Sequence, residues 1–260
     1  MIDTHCHAIP YFDDGAEDWE TALTMLQQAE TDGIEQVVCT PHILSQNDFQ
    51  RETELLSLFN ELCQRAGDDG INVRLHLGSE LYIQPDLPLN NSIATLAQNG
   101  RYFLMEFPMS SIPGHAAKRF FETLPDDKVA IIAHPERNGG ILEDPELAVE
   151  FVKKGALLQV TGSSLLGRFG EDVQSLAERL MDANLVQIIA TDAHDVSSRP
   201  LKLAQACALV AEKWGEQRAQ ILFRDNPERI LQGRNIIRGE VGSLSPQKEP
   251  RKFWSFFKKS

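Results

Sequence analysis

The first seven residues read Met1-Ile2-Asp3-Thr4-His5-Cys6-His7, a short run of strand type that ends in two histidines two positions apart. A second strand-like run ends in a similar way, with Ala190-Thr191-Asp192-Ala193-His194. Side chains at positions i and i+2 of a strand point to the same face, so each pair can present two metal-binding groups to one space. Several strand-like runs between them also end in a histidine or a carboxylate. This repetition predicts a hydrolase that uses several metal ions.

The chain alternates between short apolar runs, typical of strands, and amphipathic segments, typical of helices. Seven strand-like runs cover residues 1–4, 36–40, 73–77, 102–106, 129–133, 156–161 and 186–191. Helices are predicted over residues 18–31, 49–66, 113–123, 145–153, 172–183, 200–214 and 216–224. Such alternation predicts a mainly parallel sheet with helices outside it.

The residues that follow the strands decide between a barrel and an open, doubly wound sheet. Catalytic groups of a βα barrel collect from many strands at the carboxyl-end face, whereas an open sheet places its strand ends in a row. We therefore predict a seven-stranded, TIM-like barrel. The candidate metal ligands at its strand ends are His5, His7, Asp14, His42, Glu80, Glu106, His134, Asp192 and His194.

These candidates are too many for one tetrahedral site and are enough for two or three ions. Imidazole and carboxylate ligands suit zinc, manganese or iron. Bridging carboxylates can hold neighbouring ions about 3.5–4 Å apart, an arrangement typical of phosphoester hydrolysis. A single histidine after a strand is more often structural, and Asp13-Asp14-Gly15 is also explained as a polar turn before a helix.

Composition limits the classes of function and the cellular compartment. The 260 residues carry a formal net charge of -13, which argues against non-specific nucleic-acid binding. No apolar run approaches the roughly 18 residues of a membrane span, and the metal-type motif at residue 2 leaves no room for a signal peptide. The four cysteines form no Cys-x2-Cys pair. We therefore expect a cytoplasmic protein with reduced thiols.

The last residues differ in composition from the rest. Residues 247–260 carry five Lys or Arg and one Glu, a net charge of +4, so the remainder carries -17. We expect residues 1–240 to form the catalytic domain and residues 241–260 to form an appended basic-aromatic tail. The tail is explained either as a disordered extension or as a segment that rests on an anionic membrane surface or a partner.

Several motifs follow one another along the chain in an order that resembles a known family. They are Met1-Ile2-Asp3-Thr4-His5-Cys6-His7 with Asp13-Asp14-Gly15, Cys39-Thr40-Pro41-His42, Gly78-Ser79-Glu80-Leu81, Ile132-Ala133-His134-Pro135-Glu136-Arg137-Asn138 and Thr191-Asp192-Ala193-His194. Together they resemble the PHP (polymerase and histidinol phosphatase) superfamily. More narrowly, they and residues 157–170 resemble its bacterial tyrosine-protein phosphatase branch, the CpsB/YwqE type found with capsule and exopolysaccharide genes. The resemblance covers roughly residues 1–240.

The resemblance implies a distorted TIM-like (β/α)7 barrel of PHP type with a three-metal site. Manganese is the usual metal that it implies, with iron or zinc as alternatives. One ion would be held by His5, His7, Glu80 and Asp192. A second would be held by Glu80 as a bridge, Glu106 and His134, and a third by Asp14, His42 and His194.

A metal-free phosphotyrosine phosphatase needs a Cys-x5-Arg loop, and no cysteine here has Arg six positions later. We therefore expect direct attack on phosphorus by a metal-bound hydroxide. Arg137 and Arg199, close to two candidate ligands, are expected to grip the phosphoryl oxygens, and the resemblance supports both. Ion pairing at the barrel rim is the other explanation of these arginines.

The expected enzyme is a phosphoric monoester hydrolase, a metal-dependent protein-tyrosine phosphatase. The resemblance implies a membrane tyrosine kinase that controls capsule synthesis as the phosphorylated partner. A small-molecule phosphatase of the histidinol-phosphate type is the first alternative. An amidohydrolase-type enzyme is a second, against which the carboxylates Asp14, Glu80 and Glu106 speak, and a regulator without catalytic activity is a third.

Overall fold

The computed structural model describes residues 1–84 and 86–244, and leaves out the side chains of residues 115 and 116. Nine strands are present in this part of the chain. They are β1 (Ile2–Cys6), β2 (Gln36–Cys39), β3 (His42–Ile43), β4 (Arg74–Leu77), β5 (Glu80–Tyr82), β6 (Tyr102–Glu106), β7 (Val129–Ala133), β8 (Leu157–Thr161) and β9 (Val186–Ala190).

Helices connect the strands, as the alternation predicts. They are α1 (Trp19–Thr31), α2 (Glu52–Asp68), α3 (Gly114–Thr123), α4 (Gly139–Glu143), α5 (Glu146–Lys153), α6 (Gly162–Leu165), α7 (Glu171–Asp182), α8 (Ala204–Trp214), α9 (Glu216–Gln220) and α10 (Asn226–Leu231). Asp18 caps α1 by accepting a hydrogen bond from the Thr21 amide, which fixes the start of that helix. A π-helical turn, Ile221–Asp225, joins α9 to α10.

All strand pairs are parallel and fall into two sheets, β1-β2-β4 and β3-β5-β6-β7-β8-β9. Only two residues separate β2 from β3 and β4 from β5, so each short strand continues the direction of the longer one before it. At the other edge, Cys6 and Ala193 form an isolated parallel bridge. The Asp192 amide donates to the His5 carbonyl at 2.9 Å, and the His7 amide donates to the Ala193 carbonyl at 2.8 Å.

One face of the strands is apolar at the amino ends of the strands and polar at their carboxyl ends. Leu104, Ile131 and Leu157 belong to one buried apolar cluster. Because alternate residues of a strand share a face, Glu106 lies above Leu104, and Gln159 lies above Leu157. The larger apolar cluster packs the helices against the opposite face of the strands. The fold therefore places its polar groups at the carboxyl ends of the strands.

The parallel α/β architecture is confirmed, and each of the seven strand-like runs overlaps a strand. The predicted helix at residues 49–66 was wrong at its start, because a 3-10 turn occupies Gln46–Arg51 and α2 begins at Glu52. The predicted helix at 200–214 begins only at Ala204. Residues 245–260, which hold most of the predicted tail, lie outside the described residues, so the domain boundary stays a prediction.

Candidate metal centre

A pocket of about 160 Å³ opens at the carboxyl ends of the strands. His5 and His7, at and just after the end of β1, lie fully buried beside it. Ten residues line the pocket, and all of them except Met109 are ionisable. They are Asp14, His42, Glu80, Glu106, Met109, His134, Arg137, Asp192, His194 and Arg199. The structure therefore brings all eleven predicted site residues together, while their roles as ligands and phosphate contacts remain predictions.

The first cluster contains His5, His7, Glu80 and Asp192, the set expected for one ion. Nε2 of His5 lies 3.1 Å from Glu80 and 3.3 Å from Asp192, and Nε2 of His7 lies 3.3 Å from the same Glu80 oxygen. One ligand atom from each of the four residues fits within a span of 4.8 Å. The four side chains are almost completely buried.

Two further clusters extend the first towards solvent. His42, Glu80 and Glu106 form one, and His7, Asp14, His42 and His194 form the other. His134 lies 2.9 Å from Glu80 and 3.9 Å from Glu106, so it borders the second cluster. The clusters thus share His7, His42 and Glu80, whereas the expected ligand sets shared only Glu80.

The chemistry of these side chains fits divalent cations. Nδ1 of His42 is buried, lies 3.3 Å from an oxygen of Glu80 and of Glu106, and has no hydrogen-bond partner. A buried polar atom without a partner is costly, and a shared cation is one way to satisfy it. Imidazole nitrogens and carboxylate oxygens in this number suit Mn²⁺, Fe²⁺ or Zn²⁺.

A second layer of side chains orients the histidines. Asp13 accepts a hydrogen bond from Nδ1 of His7 at 2.7 Å, from the His42 amide at 2.9 Å and from the Gly15 amide at 3.1 Å. The side-chain amide of Gln159 lies 2.8 Å from Nδ1 of His5. Partners on Nδ1 leave Nε2 of each ring directed at the clusters. Neither role was predicted from the sequence.

Two residues of the site adopt a left-handed backbone conformation. His134 has a φ of 35° and Asp192 has a φ of 53°. A non-glycine residue in this region costs of order 1 kcal/mol or more, and such residues gather at functional sites. His134 directly follows the buried strand β7, and Asp192 lies two residues beyond the buried strand β9. The strained turn at each position bends the side chain into the pocket.

The two predicted phosphate-binding arginines flank Asp192. Arg137 and Arg199 each place a guanidinium nitrogen against the same carboxylate oxygen of Asp192. The guanidinium of Arg137 also lies over the ring of Phe169, 4.5 Å from its centroid. Both side chains remain partly exposed, 17% for Arg137 and 25% for Arg199. They therefore stand at the pocket opening with donors available to an anion.

The imidazoles hold the buried carboxyl group of Glu80 in the charged state. Burial alone would raise the pKa of Glu80, but the neighbouring His5, His134 and His7 outweigh it and hold that pKa well below its usual range. Burial alone would likewise lower the pKa of His7, but the hydrogen bond to Asp13 raises it well above its ordinary value. Carboxylates that stay ionised are ready to bind cations.

Comparison with known proteins places the chain in a family. The chain is 34% identical over 208 residues to the putative tyrosine-protein phosphatase CapC of Staphylococcus aureus, covering 79% of this chain and 81% of that protein. It is 31% identical over 259 residues to the tyrosine-protein phosphatase YwqE of Bacillus subtilis, covering 99% of this chain and all of that protein.

A solved structure agrees with both relatives. It comes from work on YwqE of B. subtilis and CpsB of Streptococcus pneumoniae, described as metal-dependent tyrosine phosphatases. It superposes with a TM-score of 0.87 at 30% identity, covering 95% of this chain and 100% of that chain. Within the described residues, no helix has the length and apolar character needed to cross a membrane. The model of the CpsB/CapC family of capsular polysaccharide synthesis matches residues 1–232, and the chain belongs to that family.

Proposed function

We propose that the protein is a metal-dependent protein-tyrosine phosphatase whose active site is the pocket at the carboxyl ends of the strands. The observation that carries the proposal is the convergence of nine histidine and carboxylate side chains with two guanidinium groups at one pocket. The names of the relatives, all tyrosine-protein phosphatases, support it. None of the four cysteines lines this pocket, so a phosphocysteine route has no nucleophile there.

The proposed ligand sets are those of the sequence analysis, with manganese as the first choice of metal. When bound, the divalent ions would supply Lewis-acid catalysis and lower the pKa of a water molecule. Glu80, shared by two clusters, would hold neighbouring ions together. Asp13 and Gln159 keep His7 and His5 oriented towards them.

Arg137 and Arg199 are proposed to bind the phosphoryl oxygens of the substrate. Their charge would balance the negative charge that the phosphoryl oxygens carry in the transition state. Asp192 pairs with both groups, so it positions them while it also serves the first cluster. The bond between phosphorus and the tyrosine oxygen then breaks, and a phenolate with a pKa of about 10 leaves without an obligatory general acid.

We also propose that the strands close into a seven-stranded barrel that carries the site on residues 1–240. If β2 and β3 are counted as one strand, and β4 and β5 as another, the barrel has seven strands. The bridge between Cys6 and Ala193 supports contact between the first strand and the last. A barrel explains why ligands from β1, β3, β5, β6 and the ends of β7 and β9 meet in one pocket.

The proposal is tested by phosphate release from a tyrosine-phosphorylated peptide. The full chain is stripped with a chelator and resupplied with Mn²⁺, Zn²⁺ or Mg²⁺, and phosphoserine peptide and histidinol phosphate are assayed in parallel. We expect metal-restored activity on phosphotyrosine. His194→Gln should lower kcat/KM by at least the roughly 10–100-fold typical of changes around a metal site. His76→Gln should not, because His76 pairs with Gln36 outside the pocket.

A preference for histidinol phosphate would instead assign a small-molecule phosphatase, and no activity on any phosphoester with metal bound would refute the proposal.

We further propose that the natural substrate is a membrane tyrosine kinase and that the basic-aromatic tail contacts the inner membrane surface. The support is the capsule-synthesis family and the charge of +4 on residues 247–260. Binding to anionic liposomes that survives deletion of residues 247–260 would exclude the tail's role.

A further inference from the structure

Large apolar side chains that are exposed to solvent are few in the described part of the chain, and four of the six line the pocket or lie within three residues of a side chain that lines it. In the described part of the chain they are Tyr11, Leu44, Met109, Val196, Ile237 and Val241. Tyr11 and Leu44 are each 58% exposed and Met109 is 42% exposed. Met109 lines the pocket, whereas Tyr11 precedes the pocket residue Asp14 by three residues and Leu44 follows His42 by two. Val196 follows His194 by two, but it is the least exposed of the four, at 37%. We call Tyr11, Leu44 and Met109 the apolar rim.

Met109 is held at the pocket by the segment that carries Arg137. The Met109 carbonyl accepts a hydrogen bond from the Gly139 amide at 2.8 Å, and the Asn138 side chain donates to the Pro108 carbonyl at 2.8 Å. Gly139 is packed so closely that a Cβ there would lie 2.7 Å from the Ser110 carbonyl oxygen. This loop is thus fixed, and it keeps an exposed thioether side chain beside charged groups.

Tyr11 and Leu44 lie on two loops that are bonded to one another. Asp13 accepts a hydrogen bond from the His42 amide at 2.9 Å, and Arg51 donates to the Phe12 carbonyl at 3.3 Å. The Tyr11 ring meets Trp19 edge-on at 6.1 Å, with a φ of 65° at Tyr11. The structure therefore keeps two apolar side chains exposed on the loops that carry Asp14 and His42, although neither side chain contributes to the core.

We propose that the apolar rim binds the side chains that flank phosphotyrosine in a protein substrate. This inference rests on the proposed function and adds the substrate class that the opening selects. A small phosphate ester can fill a pocket of about 160 Å³ without reaching Tyr11 or Leu44, which do not line it. A peptide whose phosphate lies in the pocket has its neighbouring residues at the opening, and apolar ones can displace water from the rim.

The test compares two substrates on the metal-loaded full chain. They are a phosphotyrosine peptide with leucine on both sides of the phosphotyrosine and p-nitrophenyl phosphate. The test variant is Tyr11→Asn with Leu44→Ser, because Asn tolerates the positive φ at residue 11. Burial of one large apolar side chain shifts an equilibrium by about tenfold or more. We expect kcat/KM for the peptide to fall roughly 10-fold and that for p-nitrophenyl phosphate to change by less than about 2-fold.

Val241→Ser is the matched control, because this exposed valine lies beside Ala183 at the end of α7, away from the strand ends that form the pocket. Equal losses on both substrates, or an unchanged value for the peptide, would overturn the inference. Anisotropy of the labelled peptide measures binding separately from turnover. Failure of the parent protein to hydrolyse either substrate would count against the proposed function, whereas equal peptide affinity of parent and variant would count against the rim.

Discussion

Asp13 should control metal affinity although it is not a predicted ligand. Its carboxylate is 5% exposed and accepts hydrogen bonds from Nδ1 of His7 and the amides of His42 and Gly15. In Asp13→Asn, the remaining side-chain oxygen can still accept a hydrogen bond from His7. The negative charge is lost, however, and the new amino group faces an N–H donor where the second oxygen used to accept a hydrogen bond. A charge-assisted hydrogen bond contributes about 1.5–3 kcal/mol and a neutral one about 0.5–1.5 kcal/mol. The difference of about 1–2 kcal/mol lowers a binding constant roughly 5–30-fold.

The measurement is calorimetric titration of the chelator-treated protein with Mn²⁺. We expect Asp13→Asn to weaken binding about tenfold and Asp13→Ala to weaken it further, within the roughly 10–100-fold range of groups that orient metal ligands. Asp68→Asn, on the exposed end of α2, removes the same charge away from the pocket and should leave affinity unchanged. The reasoning is refuted if Asp13→Asn keeps the parent affinity and stoichiometry.

Three further predictions address packing, orientation and pH. Gly15→Ala should lower the free energy of unfolding in urea by about 1–3 kcal/mol, because its Cβ would lie 2.0 Å from the His7 carbonyl oxygen. Phe169→Leu should raise KM about 2–5-fold through a less ordered Arg137, and Phe169→Tyr should not. Burial raises the pKa of Asp3 to about 7. Between about pH 4 and 7 the folded protein keeps a proton that the unfolded chain releases, so stability falls as pH rises, and Asp3→Asn should flatten that decline in urea unfolding.

Much of the site's location could be predicted from the sequence, because two simple regularities fix it. Residues two apart on a strand share a face, and parallel strands end on the same side. His5 with His7 and Asp192 with His194 therefore pointed to one edge before any contact was known. The relatives' names agree with the family that these motifs indicated.

The remaining features of the site depend on contacts that leave no periodic signal in the sequence. The strands at His42–Ile43 and Glu80–Tyr82 are too short to show alternation, so their ligands were expected merely to follow a strand. Asp13 has the appearance of an ordinary turn residue until its contact with His7 is known. Gln159 lies within a buried strand, where a single polar residue on the inner face was the one available indication of its role.

The charges of the site explain how so acidic a protein can act on a phosphate ester. Asp14, Glu80, Glu106 and Asp192 bring four carboxylates to the pocket, against the guanidinium groups of Arg137 and Arg199. With the imidazoles neutral, as metal binding requires, a dianionic phosphate would meet net repulsion there, and both arginines are already paired with Asp192. Two or three divalent cations would reverse that sign locally, as bound ions do in phosphate sites. The same carboxylates that repel an anion from the bare pocket are thus what would make the loaded pocket attract one.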